Sequence, residues 1–221
     1  MLSLLLALVL MAAALPAAQG LVGAATETDQ FSLTLSPTNQ QIQPGGSTGY
    51  TVEGLISAQE CEDFITRGSS LGFELAPLSL ASGPKVVETV RNNGRATFLD
   101  ADLAERIVDR VRDALPPRIA EWRLHGLNEF FRLYRYRPGE YFRWHCDGSF
   151  VRRPDERSLL SWLLYLNDGF EGGETQFAGD LVVRPRAGLI LVFAHGALHQ
   201  GAPVAAGTKY VLRSNVMFRR Q

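Results

Sequence analysis

The half of the chain that follows Trp122 consists of short segments separated by turn residues, and this pattern restricts the fold more than any other feature. The segments alternate polar with apolar residues or are rich in aromatic and β-branched residues. They cover residues 128–137, 140–147, 158–166, 181–184, 188–194 and 209–218. Glycine, proline and an Asn-Asp pair stand between them, as expected for tight turns. Many short strands with such turns are typical of a sandwich or jelly roll.

Two helices are predicted before this β-rich half. Residues 57–60 have the S-x-x-E form of a capping box, so a helix begins there, and Gly68 and Gly72 mark its end. A second helix begins at Asp100 and is stopped by Pro116 and the proline after it. Its apolar residues recur every four positions and form one face: Leu103, Ile107, Val111 and Leu115. We expect both helices to support the strands as a layer.

The N-terminal part of the chain differs in composition from the rest. Residues 1–25 are predicted to be a signal peptide or an apolar N-terminal segment, because their uncharged run is shorter than the roughly 20 residues of a membrane span. Residues 26–48 are rich in Thr, Ser, Gln, Gly and Pro and are interpreted as a flexible linker. Residues 49–221 then form one domain with its core at 128–218. We expect a secretory-pathway or secreted protein, or else an organelle-targeted one, without a stable membrane span after processing.

The charge balance and the cysteine content exclude several classes of function. The formal net charge is -1 and the isoelectric point is about 6.4, which indicates neither a nucleic-acid partner nor an anionic membrane partner. The chain has 2 cysteines, too few for a disulfide framework or a zinc finger. A small-molecule or peptide substrate fits this composition better.

The strand RWHCDGSF contains a candidate metal site. His145 and Asp147 are two positions apart, so both side chains point to the same face of an extended chain. An imidazole and a carboxylate suit iron(II) and supply two corners of a 2-His-1-carboxylate facial triad, which leaves coordination positions open. The alternative is a strand with one exposed acid and one packed histidine. The residues themselves leave two candidates for the third ligand, His195 and His199.

A lysine downstream of these histidines adds a second element to the site. A turn across residues 201–207 would bring the start of the next strand back beside His199, and Lys209 would then point into the same pocket. A dicarboxylic co-substrate needs such a cation. One end of the co-substrate chelates the metal, and its distal carboxylate pairs with the lysine ammonium.

In combination, these motifs resemble the 2-oxoglutarate- and iron(II)-dependent dioxygenases, specifically the catalytic domain of the prolyl 4-hydroxylase type. The resemblance runs from about Tyr50 to Phe218. It is carried by four stretches: YRPGEYFRWHCDG, LLYLNDGFEGGETQF, VRPRAGLILVF and HQGAPVAAGTKYVL. It implies a mainly β fold, a double-stranded β-helix (jelly roll) core with flanking helices. The family's distal histidine lies ten residues before its basic residue, which selects His199, and leaves His195 as a polar residue at a strand end near the pocket rim.

The resemblance also implies further site residues and cofactors. The tyrosine of the family's Y-x-P-G element matches Tyr136, and the threonine of its G-G-E-T element matches Thr175. The tyrosine of its Y-L-N element matches Tyr165. All three are expected to bind the oxoacid, and core packing is the alternative for each. The implied cofactors are Fe(II), 2-oxoglutarate, O2 and L-ascorbate. The implied reaction hydroxylates an unactivated C–H bond while 2-oxoglutarate is decarboxylated to succinate.

Strand alternation predicts which residues face the substrate. If Lys209 faces the pocket, Arg213 and Asn215 share its face, and Arg132 does so on the strand that carries Tyr136. Residues 91–95 are expected to form a lid or rim with them. Two arginines and an asparagine favour a polar or carboxylate-bearing substrate, either a prolyl residue or a small amino-acid-like molecule. The alternative is that Arg213 and Arg132 pair with acids such as Glu174 or Asp168 and only brace the sheet.

Two other classes of function compete with this interpretation. A non-catalytic jelly-roll binding module would lack a triad member or the distal cation, and all four residues are present here. A cupin-like metalloenzyme that uses no oxoacid would have no need of Lys209 and Thr175.

Overall fold

The computed structural model describes residues 41–42, 49–80 and 82–220. The predicted signal or apolar segment at 1–25 lies outside the described residues, and so does the predicted linker at 26–48 except for Gln41–Ile42, which forms strand β1. This strand pairs with β2, Gly49–Val52. In the described part of the chain, no helix is long and apolar enough to cross a membrane.

Both predicted helices are present, and their N-termini are capped as the sequence indicates. Helix α1 spans Ala58–Leu71, with Ser57 and Glu60 closing the capping box, and it ends at Gly72. Helix α2 spans Ala101–Val111, where the Asp100 carboxylate accepts a hydrogen bond from the backbone of the first turn. A 3-10 turn follows at Arg112–Ala114, so α2 ends before the two prolines that were expected to stop it.

The described strands are mostly short. Between the two helices lie β3 (Glu74–Leu75), β4 (Leu78–Leu80), β5 (Gly83–Lys85) and β6 (Gly94–Leu99). The β-rich half contains β7 (Arg118–Ile119), β8 (Trp122–Leu127), β9 (Phe130–Tyr136), β10 (Phe142–His145), β11 (Val151–Arg153), β12 (Glu156–Tyr165), β13 (Glu171–Gly172), β14 (Thr175–Phe177), β15 (Leu181–Val183), β16 (Ile190–Ala194), β17 (His199–Gly201), β18 (Val204–Ala206) and β19 (Lys209–Arg220).

All six predicted strands of the β-rich half are present, with ends shifted by a few residues. The sequence pattern did not indicate β14 and β17, which carry candidate site residues. Both are only 3 residues long, too short for alternation to stand out from a loop.

The strands form two main antiparallel sheets. The larger sheet has the order β1-β2-β16-β12-β19-β9-β6-β3, with β7, β8 and β11 attached at its sides. The smaller sheet has the order β10-β17-β14-β15. The helices pack on one side of the larger sheet, and the other side faces the smaller sheet, so the mainly β, jelly-roll prediction is confirmed.

Alternation along β9 shows how one sheet serves two apolar cores. Phe131 and Leu133 belong to the core that contains the helices, whereas Tyr134 and Tyr136 belong to the inner core between the two sheets. Helix α1 approaches β9 very closely at Gly68, where a Cβ atom would lie 1.7 Å from Leu133 Cδ2. The helix layer therefore supports the outer face of the sheet, and the inner face is left for a site.

Candidate active site

Three candidate metal ligands meet on the smaller sheet. His145 ends β10 and pairs in register with His199, the first residue of β17, while Asp147 follows two positions after His145. The Asp147 carboxylate lies 3.7 Å from Nε2 of His145 and 4.0 Å from Nε2 of His199. One ligand atom from each residue lies within 4.8 Å of the other two. The structure therefore brings together the three residues that the sequence predicted, and His199 rather than His195 completes the group.

Hydrogen bonds to the backbone set the tautomers of both imidazoles. His145 Nδ1 lies 2.7 Å from the carbonyl oxygen of Arg143, and His199 Nδ1 lies 2.9 Å from that of Ala197. A carbonyl only accepts, so each Nδ1 must carry the hydrogen and each Nε2 keeps a free lone pair directed at the centre. Burial also lowers the pKa of His145 to about 3 and lowers that of His199. Both rings are neutral, which is the form that binds a metal.

Aromatic rings enclose the two imidazoles. Phe142 stacks on His145 with ring centroids 3.5 Å apart. Phe193 meets His199 edge-on at 4.6 Å, and Phe177 lies against the same ring at 5.7 Å. These contacts restrict ring rotation and keep water from one side of the ligand group.

The Asp147 carboxylate is held from both sides. Ser161 donates a hydrogen bond to Oδ2, and Arg213 Nη2 lies 2.8 Å from Oδ1. Burial alone would raise the pKa of Asp147, but the Arg213 guanidinium, together with the hydrogen bond from Ser161, outweighs it and holds the pKa well below its usual range. The ligand is therefore a fixed carboxylate at all physiological pH values.

His195 lies behind this carboxylate, not at the pocket rim where the sequence placed it. Its Nδ1 is 3.0 Å from Ser161 Oγ, and its Nε2 is 2.8 Å from Ser158 Oγ. Ser158 in turn accepts from the Phe150 backbone N–H at 2.8 Å. With His195 neutral, Ser158 donates to Nε2 of His195, Nδ1 of His195 donates to Ser161, and Ser161 donates to Asp147. Sequence spacing could not show this, because the contact depends on β12 and β16 being neighbours.

The donor set fits a borderline divalent metal. Two neutral imidazoles and one carboxylate match the facial triad that leaves positions open for substrates. Each ligand is oriented by a further hydrogen bond, as bound metal sites require. The residues present therefore fit iron(II).

Lys209 is a buried cation without a matching acid. It is 3% exposed, and its Nζ donates to the Gly173 carbonyl at 2.5 Å. In the part of the chain that the structure describes, no carboxylate lies within 4.0 Å of Nζ. Burial lowers the pKa of Lys209 to about 7, an effect that Glu174 partly opposes. Such a cation is costly unless an anion joins it.

Three predicted oxoacid residues surround this lysine. Its Nζ lies 5.1 Å from the ring centroid of Tyr136 and 5.4 Å from that of Tyr165. The Tyr165 hydroxyl donates to Thr175 Oγ1 at 2.6 Å, which leaves the threonine hydroxyl hydrogen to donate to another acceptor. Burial raises the pKa of Tyr136 to about 12, so its phenol stays a hydrogen-bond donor.

The metal group and the lysine share one cavity. Residues of β9, β10, β14, β17 and β19 contribute to its walls. It is lined by Tyr134, Tyr136, Phe142, His145, Asp147, Leu163, Thr175, His199, Gly201, Lys209, Val211 and Arg213. Tyr165 lies behind Thr175 and is not part of the lining, so it acts through that hydroxyl.

The three predicted substrate residues share the inner face but differ in environment. Arg213 lines the cavity and pairs with an acid, as in the bracing alternative, but the acid is the candidate ligand Asp147 and neither Glu174 nor Asp168. Arg132 lies directly opposite Arg213 on β9, and its Nη1 is buried without a hydrogen-bond partner. Asn215 is buried, and its Oδ1 also has none.

Residues 91–95 do not form a lid. Arg91 is 4% exposed and lies over the rings of Tyr134 and Phe142 at 4.2 and 4.3 Å. Arg95 belongs to β6 and pairs with Tyr134. The expectation of a lid was wrong because the Asn-Asn-Gly run leads directly into a strand of the larger sheet, where Arg95 lies on the face that carries the candidate site.

Comparison with known proteins agrees with this geometry. Residues 131–217 match the sequence model of the 2OG-Fe(II) oxygenase superfamily. The chain is 29% identical over 195 residues to the probable prolyl 4-hydroxylase 9 of Arabidopsis thaliana, covering 70% of this chain and 63% of that protein. It is 30% identical over 140 residues to a PKHD-type hydroxylase of Parvibaculum lavamentivorans, covering 57% of this chain and 58% of that protein. The chain thus spans about three fifths of the length of these relatives.

Solved structures show the same fold. The 2OG complex of a viral collagen prolyl hydroxylase from Paramecium Bursaria Chlorella virus-1 aligns with a TM-score of 0.56 and 22% identity, over 77% of this chain and 96% of that chain. A prolyl hydroxylase from Trichoplax adhaerens, in complex with a hypoxia inducible factor peptide fragment, aligns with a TM-score of 0.61 and 16% identity, over 76% and 82%. The matched segment 131–217 contains all three candidate metal ligands and Lys209, and over this segment the chain is similar to the 2OG-Fe(II) oxygenase superfamily.

Proposed function

We propose that the protein is an iron(II)- and 2-oxoglutarate-dependent dioxygenase that hydroxylates an unactivated C–H bond. The observation that carries this proposal is a buried lysine without an acid partner in the same cavity as a 2-His-1-carboxylate group. A metalloenzyme that uses no oxoacid would gain nothing from Lys209. Burying its ammonium destabilises the fold, and a dicarboxylate would offset that cost.

Each of the candidate residues then has a defined role. His145, Asp147 and His199 hold the metal, which when bound supplies O2 activation and the oxidation of the C–H bond. Lys209 pairs with the distal carboxylate of 2-oxoglutarate. The free hydroxyl hydrogen of Thr175 donates to the same carboxylate.

The aromatic residues provide orientation and exclude water. Tyr136 covers Lys209 on one side and offers its phenol to the oxoacid, and Tyr165 fixes the Thr175 hydroxyl by donating to it. Phe142 covers the face of the His145 ring. A dry cavity strengthens the pairing between Lys209 and the oxoacid, because charges attract more strongly in a medium of low dielectric constant.

The overall reaction is balanced by one molecule of O2. One oxygen atom enters succinate as 2-oxoglutarate loses CO2, and the other enters the substrate as a hydroxyl group. L-ascorbate would keep the iron reduced after turnovers that are not coupled to substrate. The hydroxylated substrate is a prolyl residue or a small polar, amino-acid-like molecule. The apolar run within residues 1–25 supports a protein of the secretory pathway or a secreted one, or else an organelle-targeted one.

Succinate release with iron(II), 2-oxoglutarate and ascorbate tests the proposal. We expect the wild type to release succinate and His199→Ala to release none, because two ligands do not hold the metal in this geometry. His125→Ala is the matched control, since this histidine lies on β8 with a 40% exposed side chain. Succinate release that survives in His199→Ala at the wild-type rate would contradict the metal assignment.

A further inference from the structure

Arginines line the inner face of the larger sheet beside the metal group. Strand register places Thr97 opposite Arg132, and Arg132 opposite Arg213, in one row across β6, β9 and β19. The next row along contains Arg95 opposite Tyr134. Three arginines of neighbouring strands thus lie on the face that carries the candidate active site.

Two of these arginines have no acid to balance them. Arg213 pairs with Asp147. Neither Arg132 nor Arg95 forms an ion pair within 4.0 Å in the part of the chain that the structure describes. Nη1 of Arg132 is buried without any hydrogen-bond partner. Arg132 Cζ lies 4.6 Å from the centroid of the Phe130 ring, a contact that holds the side chain on the sheet without neutralising its charge.

The positive charge of these side chains lowers the pKa of a neighbouring tyrosine. Burial alone would raise the pKa of the Tyr134 phenol, but Arg91, Arg213 and Arg132 outweigh burial and lower it to about 7. A phenol whose pKa falls this far despite its burial lies among positive charges.

Of the three arginines, Arg213 lines the cavity at the end away from the oxoacid lysine, and Arg132 lies next to it on the neighbouring strand, outside the lining. Lys209 and Arg213 are four residues apart on β19, which corresponds to about 14 Å along a strand. Asp147 contacts Arg213, so the metal group lies on the arginine side of Lys209. An oxoacid that reaches from Lys209 to the metal therefore leaves the arginine end for the substrate.

The charges of the loaded site would still favour an anion. The charges of Fe(II) and 2-oxoglutarate cancel, and those of Asp147 and Arg213 cancel. The sum over Lys209, Arg132 and Arg95 therefore stays positive even when Lys209 pairs with the oxoacid, and Arg132 and Arg95 are the two cations left without an acid partner among the described residues. A neutral substrate would leave this excess in place, whereas a carboxylate would pair with it.

We propose that the substrate carries a carboxylate, which Arg132 binds with Arg95 beside it, and that this contact orients the C–H bond toward the metal group. This inference rests on the proposed function and identifies its substrate class. The carboxylate can belong to a free amino acid or to a peptide chain, and the test below distinguishes the two sources.

Calorimetric binding of matched acids and amides tests the inference. The probes are free L-amino acids and their primary amides, and prolyl tripeptides with free or amidated C-termini. They are titrated anaerobically into protein loaded with Mn(II) and 2-oxoglutarate, or with Mn(II) alone if the oxoacid does not bind. We expect at least one acid to bind about 30-fold more tightly than its amide, the size of a partly buried charge pair. The probe pair that shows this preference identifies the source of the carboxylate.

Substitutions test whether Arg132 and Arg95 cause the preference for the acid over its amide. Arg132→Met and Arg95→Met should each reduce the acid-over-amide ratio, while 2-oxoglutarate binding stays within about twofold of wild type. Arg135→Met is the matched control, because Arg135 lies on the same strand and stacks on Phe73 at the opposite face.

Two results would overturn the inference. One is that no acid binds the wild type more tightly than its amide, and the other is that the preference survives in both arginine variants. If 2-oxoglutarate itself fails to bind and no succinate forms, the proposed function fails instead. The acid–amide comparison on the Mn(II) protein then still tests the role of Arg132 and Arg95.

Discussion

Replacing Lys209 should make the ligand-free protein more stable while it removes oxoacid binding. Folding lowers the pKa of this ammonium from 10.5 to about 7. At about 1.4 kcal/mol per pH unit, that shift destabilises the folded protein by about 4 kcal/mol at pH 7. Lys209→Met keeps an unbranched side chain of similar length and removes the charge.

Losses offset part of this gain. The Gly173 carbonyl loses its donor, which costs about 1–3 kcal/mol, and the contacts with two tyrosine rings weaken. We therefore expect Lys209→Met to be about 1–2 kcal/mol more stable than wild type at pH 7. For a domain of this size, that raises Tm by about 3–6 °C.

The pH dependence provides an independent check with a defined sign. Between pH 7 and pH 10.5 the unfolded lysine is protonated and the folded one is largely neutral. Because the unfolded state binds more protons in this window, the free energy of unfolding rises with pH, by up to about 1.4 kcal/mol per pH unit from this group. The Lys209→Met protein should lack this rise.

Thermal and chemical denaturation of metal-free protein measures both effects. Lys85→Met is the matched control, since Lys85 is the chain's other lysine and is exposed. Under anaerobic conditions, 2-oxoglutarate with Mn(II) should raise the Tm of wild type and of the control but not of Lys209→Met. A Lys209→Met protein that is less stable than wild type and still responds to 2-oxoglutarate would refute the reasoning.

Three further changes probe other parts of the structure. Thr175→Val removes the acceptor of the Tyr165 hydroxyl and the donor offered to the oxoacid. The Kd for 2-oxoglutarate, measured by calorimetry, should therefore rise about tenfold or more. An unchanged Kd would exclude the threonine from the oxoacid site. Gly68→Ala gains about 1 kcal/mol in helix propensity, but its Cβ would overlap the fully buried Leu133. We expect urea unfolding to show a free energy of unfolding about 1–3 kcal/mol below that of wild type. A variant more stable than wild type would contradict the packing described. His195→Ala breaks the hydrogen-bond chain behind Asp147 and should weaken metal binding about 10–100-fold in a chelator competition. His195→Gln should restore part of the lost affinity. Equal metal affinity in wild type, His195→Ala and His195→Gln would make His195 a packing residue only.

Local sequence determined much of the fold and the metal group. The capping box at Ser57 and the N-cap at Asp100 set the helix starts through contacts within one turn. Alternation on one extended segment is enough to place His145 and Asp147 on one face. The ten-residue spacing from His199 selected Lys209, although the connection between them contains the short strand β18 and is not the single turn expected.

Tertiary structure alone decided what surrounds the metal ligands. Arg213 faces Asp147 and not the acids that the sequence offered as partners. His195 reaches the same carboxylate through Ser161. Both contacts join residues far apart in the chain, so they depend on the order β16-β12-β19-β9 in the larger sheet. Strand order is set by the burial of both faces of the sheet, between the helices on one side and the inner core on the other, and no local pattern in the sequence records which strands become neighbours.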